Sequence, residues 1–367
     1  MAETSPARVA DVRMGRFERL PWRRIILVVL GVVITAVVVI GSYRTLSLTP
    51  AEGGYSAATW RDFIVEGVSQ GAIFAMIALG YSLVYGILRM INFAHGEVFM
   101  AGAFGSFFFA DAFASSGFLD ANPILAMLIL TSISVAISVG TAVLLERLAY
   151  RPLRNAPRLV PLITAIGASL FIQNAFRGFF GPQPYGYPKP EALAGNTTVF
   201  GIPMTKVQLL VLIVSVISML ILQFFVSRTS TGRSMRAVAQ DSEIASLMGI
   251  DVNRVVMITF AIGGILAGIA GILFALTFGQ VQFTMGFRPG IAAFTAAVLG
   301  GIGSIGGAAL GGFLIGLIRG VGPPLILTGF GIPSVFSIRD AFVFLVLVLV
   351  LVFRPGGLLG TGEAEKV

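Results

Sequence analysis

The sequence predicts an all-α, polytopic transmembrane helix bundle of about ten crossings, and three observations predict it. The chain is 56% hydrophobic and 11% charged, where soluble domains carry roughly 25% charged residues. Its 45 glycines are close to twice the ordinary share of about 7%, which suits closely packed membrane helices. Finally, the charges fall between long apolar runs. Windows free of Asp, Glu, Lys and Arg extend for 19 residues after Arg24, 22 after Glu66, 25 after Asp120, 18 after Arg158, 21 after Lys206, 33 after Arg254 and 30 after Arg288; a span needs about 20.

Taken in order, the predicted spans lie near 25–43, 63–88, 96–114, 123–146, 159–178, 207–227, 255–278, 289–301, 304–320 and 336–353. The first follows six arginines. It also fits a signal peptide, but the basic region is long and no clean small-residue cleavage site follows, which favours a retained helix. Val98–Ala110 and Ala341–Phe353 reach spanning length by borrowing a turn at one end. The pair at 289–320 carries Gly300, Gly301, Gly303, Gly306, Gly307, Gly311 and Gly312 and reads either as two spans or as two short half-spans, since irregular backbone at that depth survives only under cover of protein or a cavity. Ten crossings put both termini on one side. With that side cytosolic, 17 Lys and Arg fall inside and 8 outside, the expected bias. The outer loop 179–205 contains "GPQPYGYPKP", whose alternating Pro, Gly and Tyr favour an ordered loop. It reads equally as a connector or as a docking surface for an outer partner.

Several chemistries are excluded. One histidine and no cysteine cannot build a zinc site without carboxylates from elsewhere. No Ser-His-Asp arrangement stands out. None of the three lysines follows a glycine, so there is no phosphate-binding GxxxxGK[ST] loop. Gly301, Gly303 and Gly306 form a GxGxxG, but no βαβ unit surrounds it. The net charge of +8 is spread through short inter-span segments, so no nucleic-acid partner is expected; the lipid bilayer is the partner that composition implies. The glycine spacings Gly264–Gly268, Gly303–Gly307–Gly311 and Gly312–Gly316–Gly320 instead predict close helix packing.

Two polar stretches interrupt the apolar pattern. In "INFAHGEVFM" (91–100), Asn92 is expected at an N-cap and Glu97 in the first helical turn, where a carboxylate favours the helix dipole; His95 is then turn chemistry. Alternatively the segment is a break lining a path, with Asn92, His95 and Glu97 as polar lining. Tyr81, Gln173 and Asn174 are further polar groups near or within spans, each either a helix–helix hydrogen bond or a path contact. In "SRTSTGRSMRAVAQDSEIASLMGIDVNR" (227–254), Ser234–Met248 is expected to be helical between Gly232 and Gly249, with Gly249 as C-cap. Met235, Val238 and Ala239 share one apolar face, and Ile244, Leu247 and Met248 another. Its apolar stripe needs the membrane interface, the protein's underside or a cytosolic protein.

"GYSLVYGILRMINFAHGEVFMAGAF" (80–104), "ERLAYRPLRNAPRLVPLITAIGASLFIQN" (146–174), "GRSMRAVAQDSEIASLMGIDVNRVVMITFAIGGILAGIAGIL" (232–273), "FTAAVLGGIGSIGGAALGGFLIGL" (294–317) and the tail "EAEKV" closely resemble the LivH-type permease of branched-chain amino acid ABC importers. The resemblance runs from about residue 60 to the C-terminus, leaving 1–60 as an N-terminal extension with one predicted helix and 61–367 as a permease core. It implies an ABC importer permease fold and a second permease subunit of LivM type. It also implies two cytosolic ABC ATPase subunits and a soluble substrate-binding protein, with the chain itself no enzyme and carrying no cofactor. Residues 228–254 become the segment that couples to the ATPases, with Arg233, Arg236, Ala237, Asp241, Ala245, Leu247 and Gly249 at the contact. Two alternatives remain: the same machine importing urea or short-chain amides, and a secondary transporter using Glu66, Glu97 and His95 as a proton pathway.

Overall fold

The computed structural model describes residues 22–360 except 155, 158, 333, 334 and 355; side chains are described from residue 25 onward. Residues 1–21, with four of the six arginines before the first span, and the tail "EAEKV" lie outside the described residues. In order, the helices are α1 (Trp22–Ser47), α2 (Ala57–Leu88), α3 (His95–Ser115), α4 (Phe118–Ala121), α5 (Pro123–Leu145), α6 (Leu159–Phe180), α7 (Lys206–Arg228), α8 (Ser230–Gln240), α9 (Ser242–Leu247), α10 (Val252–Phe278), α11 (Phe287–Gly300), α12 (Ile305–Leu327) and α13 (Arg339–Phe353). Four short strands, β1 (Tyr185–Gly186), β2 (Asn196–Val199), β3 (Ile202–Thr205) and β4 (Gln280–Val281), form two antiparallel pairs, β1 with β4 and β2 with β3. Among the described residues, nine helices are long and apolar enough to cross a membrane, and α11 is a shorter apolar helix. The all-α, polytopic class is therefore as the sequence predicts.

The described residues fall into two compact units. The smaller comprises the described residues up to Gly54 together with residues 325–332. Within it, Thr45 Oγ1 accepts from the Gly329 N–H (2.7 Å), and Gly41 lets the Ile326 carbonyl approach α1. Most of α1 presents exposed Val, Ile and Leu, as a helix facing lipid does.

The larger unit is centred on α2, which is buried almost without interruption from Ser69 to Val84, and on α3 and α10. Such all-round apolar helices belong in the centre of a bundle. Glycine sets their approach. On α12, a Cβ at Gly312 or Gly316 would collide with Ala75 or with Gly67 and Gly71 of α2, and one at Gly320 would lie 2.8 Å from the Phe63 carbonyl. On α10, a Cβ at Gly264 or Gly268 would meet the Val139 or Val135 Cα of α5 at 2.8 and 2.7 Å. Ser134 Oγ donates to the Gly268 carbonyl and Ser138 Oγ to the Val98 carbonyl, both at 2.9 Å. These hydroxyls satisfy themselves on backbone exposed by the small residues, as in membrane interfaces.

Three expectations need correction. The expected pair at 289–320 is one short and one long helix. α11 has 14 residues, while α12 continues through Pro323 and Pro324 to Leu327. Arg319, at the edge of the predicted 304–320 span, therefore lies two turns inside a helix. Gly303 is not part of a helical stripe; it sits at φ +92° in the turn, where an added Cβ would lie 3.8 Å from the Gly86 Cα. Gly307 and Gly311 pack on Gly300 and Ala296 of α11. Finally, Ser234–Met248 is not one helix. The backbone is extended at Asp241 (φ −155°, ψ 113°), whose carboxylate accepts from the N–H groups of Glu243 and Ile244 at 2.9 Å and starts a second helix. Gly232 does not flank α8 but lies in its first turn, next to the Val226 carbonyl.

Candidate functional site

The stretch around His95 is a break in the bundle. α2 ends at Leu88, and Arg89 closes it in the left-handed region (φ 51°). Residues 89–94 are not helical. His95, the first residue of α3, packs its imidazole into the space that a side chain at Gly80 would fill. Gly80 lies eight residues before the end of α2, or about 12 Å at 1.5 Å per residue. The chain thus doubles back, and α3 starts well inside the bundle. From the opposite end, α10 finishes at Phe278, and residues 279–286 descend before α11 begins. A Cβ on Gly96 would be 2.6 Å from the Gly286 carbonyl and 3.3 Å from the Gly290 Cα. The N-termini of α3 and α11 therefore meet at mid-bundle, an arrangement that places two positive dipole ends together.

A cavity of about 500 Å³ opens at this meeting point, lined by Tyr81, Phe93, Glu97, Ile166, Ser169, Leu170, Gln173, Thr284, Gly286, Phe287, Gly290 and Ile291. Its walls are aliphatic and aromatic, with a few convergent polar groups, the usual make-up of a small-molecule site. Glu97 is in the first turn of α3 and is buried. Gln173 Nε2 donates to its Oε1 at 2.6 Å, and Ser169 Oγ donates to the same oxygen at 3.2 Å. Glu97 Oε2 is buried with no hydrogen-bond partner.

Of the sequence-nominated residues, Tyr81, Glu97 and Gln173 line the cavity. Asn92 and His95 are buried beside it. Asn92 is not the N-cap of α3: that position is Ala94, which offers no side-chain bond. Asn92 Oδ1 instead accepts from the Tyr150 hydroxyl (2.8 Å), tying the break to the end of α5. His95 packs edge-on against Tyr81, with ring centroids 5.0 Å apart. Asn174 is not in the site; it is exposed, and its amide donates to the Leu170 carbonyl of its own helix. Sequence reasoning missed Ser169, Thr284, Gly286 and Gly290. The four-residue spacing of the two glycines beside Gly96 was the available signal.

The segment between α7 and α10 forms a second candidate surface. Met235, Val238 and Ala245 are buried, while Ile244, Leu247 and Met248 are 60%, 85% and 79% exposed. Arg233 and Asp241 are exposed, and Ala237 is half-buried. Gly249 adopts φ +83°. The Ile250 N–H donates to the Ala245 carbonyl and the Gly249 N–H to that of Ser246, a Schellman close that holds the apolar knob of α9 outward. Arg236 donates to the Val226 carbonyl near the end of α7. At the far end of the molecule, Tyr187 of the 179–205 loop is buried and shares a hydrogen bond with Ser106 (3.1 Å). Burial pushes its phenol up to about 12, so it remains protonated at ordinary pH. The loop is ordered, as expected, and ends in a hairpin whose tip residue Phe200 is fully exposed at φ 51°.

Comparison with known proteins places these features. Residues 63–351 match the family described as branched-chain amino acid transport system, permease component. The chain is 41% identical over 309 residues to the high-affinity branched-chain amino acid transport system permease protein BraD of Pseudomonas aeruginosa, covering 83% of this chain and 97% of that protein. It is 40% identical over 305 residues to the corresponding LivH of Salmonella typhimurium, covering 82% and 96%. It is also 28% identical over 193 residues to the autoinducer 2 import system permease protein LsrD of Photorhabdus laumondii, covering 50% and 54%. No solved structure matches. These relatives are permease proteins of transport systems rather than enzymes, in keeping with the missing phosphate loop. With the family match spanning most of its length, the chain belongs to the permease component family of branched-chain amino acid transport systems.

Proposed function

We propose that the chain is one permease subunit of an ATP-driven importer of leucine, isoleucine and valine in a bacterial cytoplasmic membrane. Residues 61–367 form the permease core, residues 1–60 an added membrane helix, and both termini face the cytosol. A second permease of LivM type completes the path, two cytosolic ABC ATPases drive it, and a soluble binding protein delivers the substrate. The observation that carries this reading is the mid-bundle cavity. Its apolar walls, Phe93, Ile166, Leu170 and Ile291, match a short branched aliphatic chain, and Tyr81, Glu97 and Gln173 supply polar contacts. The branched-chain amino acid transport for which BraD and LivH are named points the same way. Uptake of labelled leucine into vesicles carrying the assembled complex tests it. ATP-dependent uptake that needs the binding protein supports the reading; ATP-dependent uptake of urea without leucine changes the cargo; uptake indifferent to ATP removes the ATPase partners.

Coupling is assigned to α8 and α9, with Arg233, Arg236, Ala237, Asp241, Ala245, Leu247 and Gly249 in or beneath the contact. Leu247→Asp is the clean probe. The side chain is 85% exposed, so the fold is expected to tolerate the change within about 0.5 kcal/mol, while ATP-driven uptake falls at least tenfold. Charge reversal at Arg236 is less clean, because Arg236 also bonds the Val226 carbonyl. Wild-type uptake in Leu247→Asp would remove the knob from the interface.

The outer hairpin is assigned to docking of the binding protein. Phe200 holds a left-handed backbone, unfavourable for a bulky residue by roughly 1–2 kcal/mol, and exposes its ring completely. Phe200→Asn relieves that strain. The expected outcome is an equal or higher melting temperature together with a raised KM for binding-protein-dependent uptake. An unchanged KM returns the loop to a connector.

A further inference from the structure

Glu97 has one oxygen accounted for and one that is not. Oε1 accepts from Gln173 and Ser169, whereas Oε2 is buried without a partner beside Gly286, where an added Cβ would lie 2.8 Å from it; both Glu97 and Gly286 line the cavity. A half-paired buried carboxylate is unfavourable unless it takes up a proton or a cation completes it. None of the lining residues is Lys, Arg or His. His95, two residues away, turns its ring into the Gly80 slot. Arg288, in the first turn of α11, has a side chain 77% exposed and 3.5 Å from Asp340. No lining residue supplies a cationic donor, so one that pairs with Glu97 enters with a ligand, and most of the remaining lining is apolar.

We infer that Glu97 Oε2 receives the α-ammonium group of an aliphatic α-amino acid, whose side chain lies against Phe93, Ile166, Leu170 and Ile291. The inference rests on the amino-acid import reading above and deepens it. An ammonium offers three N–H donors, and a charge-assisted pair in a cavity of this kind is stronger than a neutral hydrogen bond. The substrate's carboxylate is then directed toward Thr284 and the N-terminal turn of α11, which has no side-chain cap and presents a positive dipole end. Gln173 and Ser169 are positioning residues: they fix the Oε1 half of the carboxylate and leave Oε2 for the ammonium.

The chain has no cysteine, which supplies the test. Ile291→Cys, introduced into the chain within the assembled complex, places a single thiol on the cavity wall. Its rate of maleimide labelling on this subunit is read with L-leucine, with L-leucinamide, which keeps the ammonium and lacks the carboxylate, and with 4-methylpentanoate, which lacks the ammonium. Leucine and leucinamide are expected to slow labelling, and 4-methylpentanoate is not. In Glu97→Gln the leucine concentration for half-protection is expected to rise roughly 10- to 100-fold, and Glu97→Asp to recover part of it. Labelling without ligand, together with size-exclusion behaviour, reports whether each variant is folded; if Glu97→Gln does not fold, Glu97→Asp and the three ligands carry the test alone. Equal protection by 4-methylpentanoate, or full protection in Glu97→Gln, overturns the ammonium site. Leucine uptake with no leucine protection also overturns it and leaves the import reading standing. Absence of both overturns both.

Discussion

Replacing Gly316 with valine abolishes accumulation of the folded permease, whereas Gly140→Ala has no effect. At Gly316 an added Cβ would occupy the space of the Gly67 carbonyl and the Gly71 Cα. These are backbone atoms of α2, so no side chain can rotate aside. Overpacking a core typically costs about 1–3 kcal/mol when side chains can adjust; here two helices must separate, and the cost exceeds that range. Gly312 and Gly320 lie on the same seam, so the displacement spreads along α12. At Gly140 nothing lies within 4 Å of an added Cβ. Membrane-fraction yield, size-exclusion profile and leucine uptake of the two variants check the prediction; a monodisperse, active Gly316→Val would show that the α2–α12 seam is looser than drawn.

Asp340→Ala is expected to lose on the order of 3 kcal/mol, the low end of the range for a broken buried ion pair, because Asp340 is itself one-third exposed. Asp340 Oδ1 accepts from Arg319 Nη2 at 3.0 Å, and Arg288 lies 3.5 Å from its other oxygen. Arg319 also donates to Gln70 (2.9 Å) and lies 5.5 Å over the Phe74 ring. The neighbouring Arg339 pairs with Glu66 at 3.1 Å, and Gln70 donates to Glu66 at 2.9 Å. Removing Asp340 strands a cation among these groups inside the bundle. The double variant Arg319→Met with Asp340→Ala removes the cation as well and is expected to recover most of the loss. Thermal unfolding of the purified complex reads both. A double variant no better than the single one would mean that Arg319 contributes through Gln70 and Phe74 rather than through its charge partner.

What was legible in the sequence follows the range of the forces involved. The spans were readable because each is a local apolar run of the right length. The ordered outer loop and the αL close at Gly249 were readable because Pro, Tyr and Gly act within a few residues. The split at Asp241 was also readable in principle: an Asp followed by Ser and Glu is a helix start, but the continuous helical composition on either side masked it. The level at which α3 and α11 begin was not readable. It depends on His95 fitting against Gly80 and Gly96 against Gly286, pairings that no local pattern encodes. The depth of Arg319 within α12 is hidden for a similar reason: a charge suggests the end of a span, while its neutralising partner lies 21 residues further on. Glu97 is legible as a polar group near a span, but its unpaired oxygen becomes visible only when Gln173 and Ser169 arrive from another helix.

The turn after α11 carries a consequence for how the protein is made. The Leu358 and Leu359 N–H groups donate to the carbonyls of Leu299 and Gly300 at 2.8 and 2.9 Å, and the backbone at Gly357 and Gly360 packs on Gly301. The last carbonyls of α11 are thus satisfied by residues synthesised nearly sixty positions later. During insertion the α11–α12 hairpin waits, incompletely bonded, until residues 357–360 have been made and can reach it. A nonsense mutation a few codons before residue 358 therefore leaves every crossing helix intact and still yields a substrate for membrane quality control.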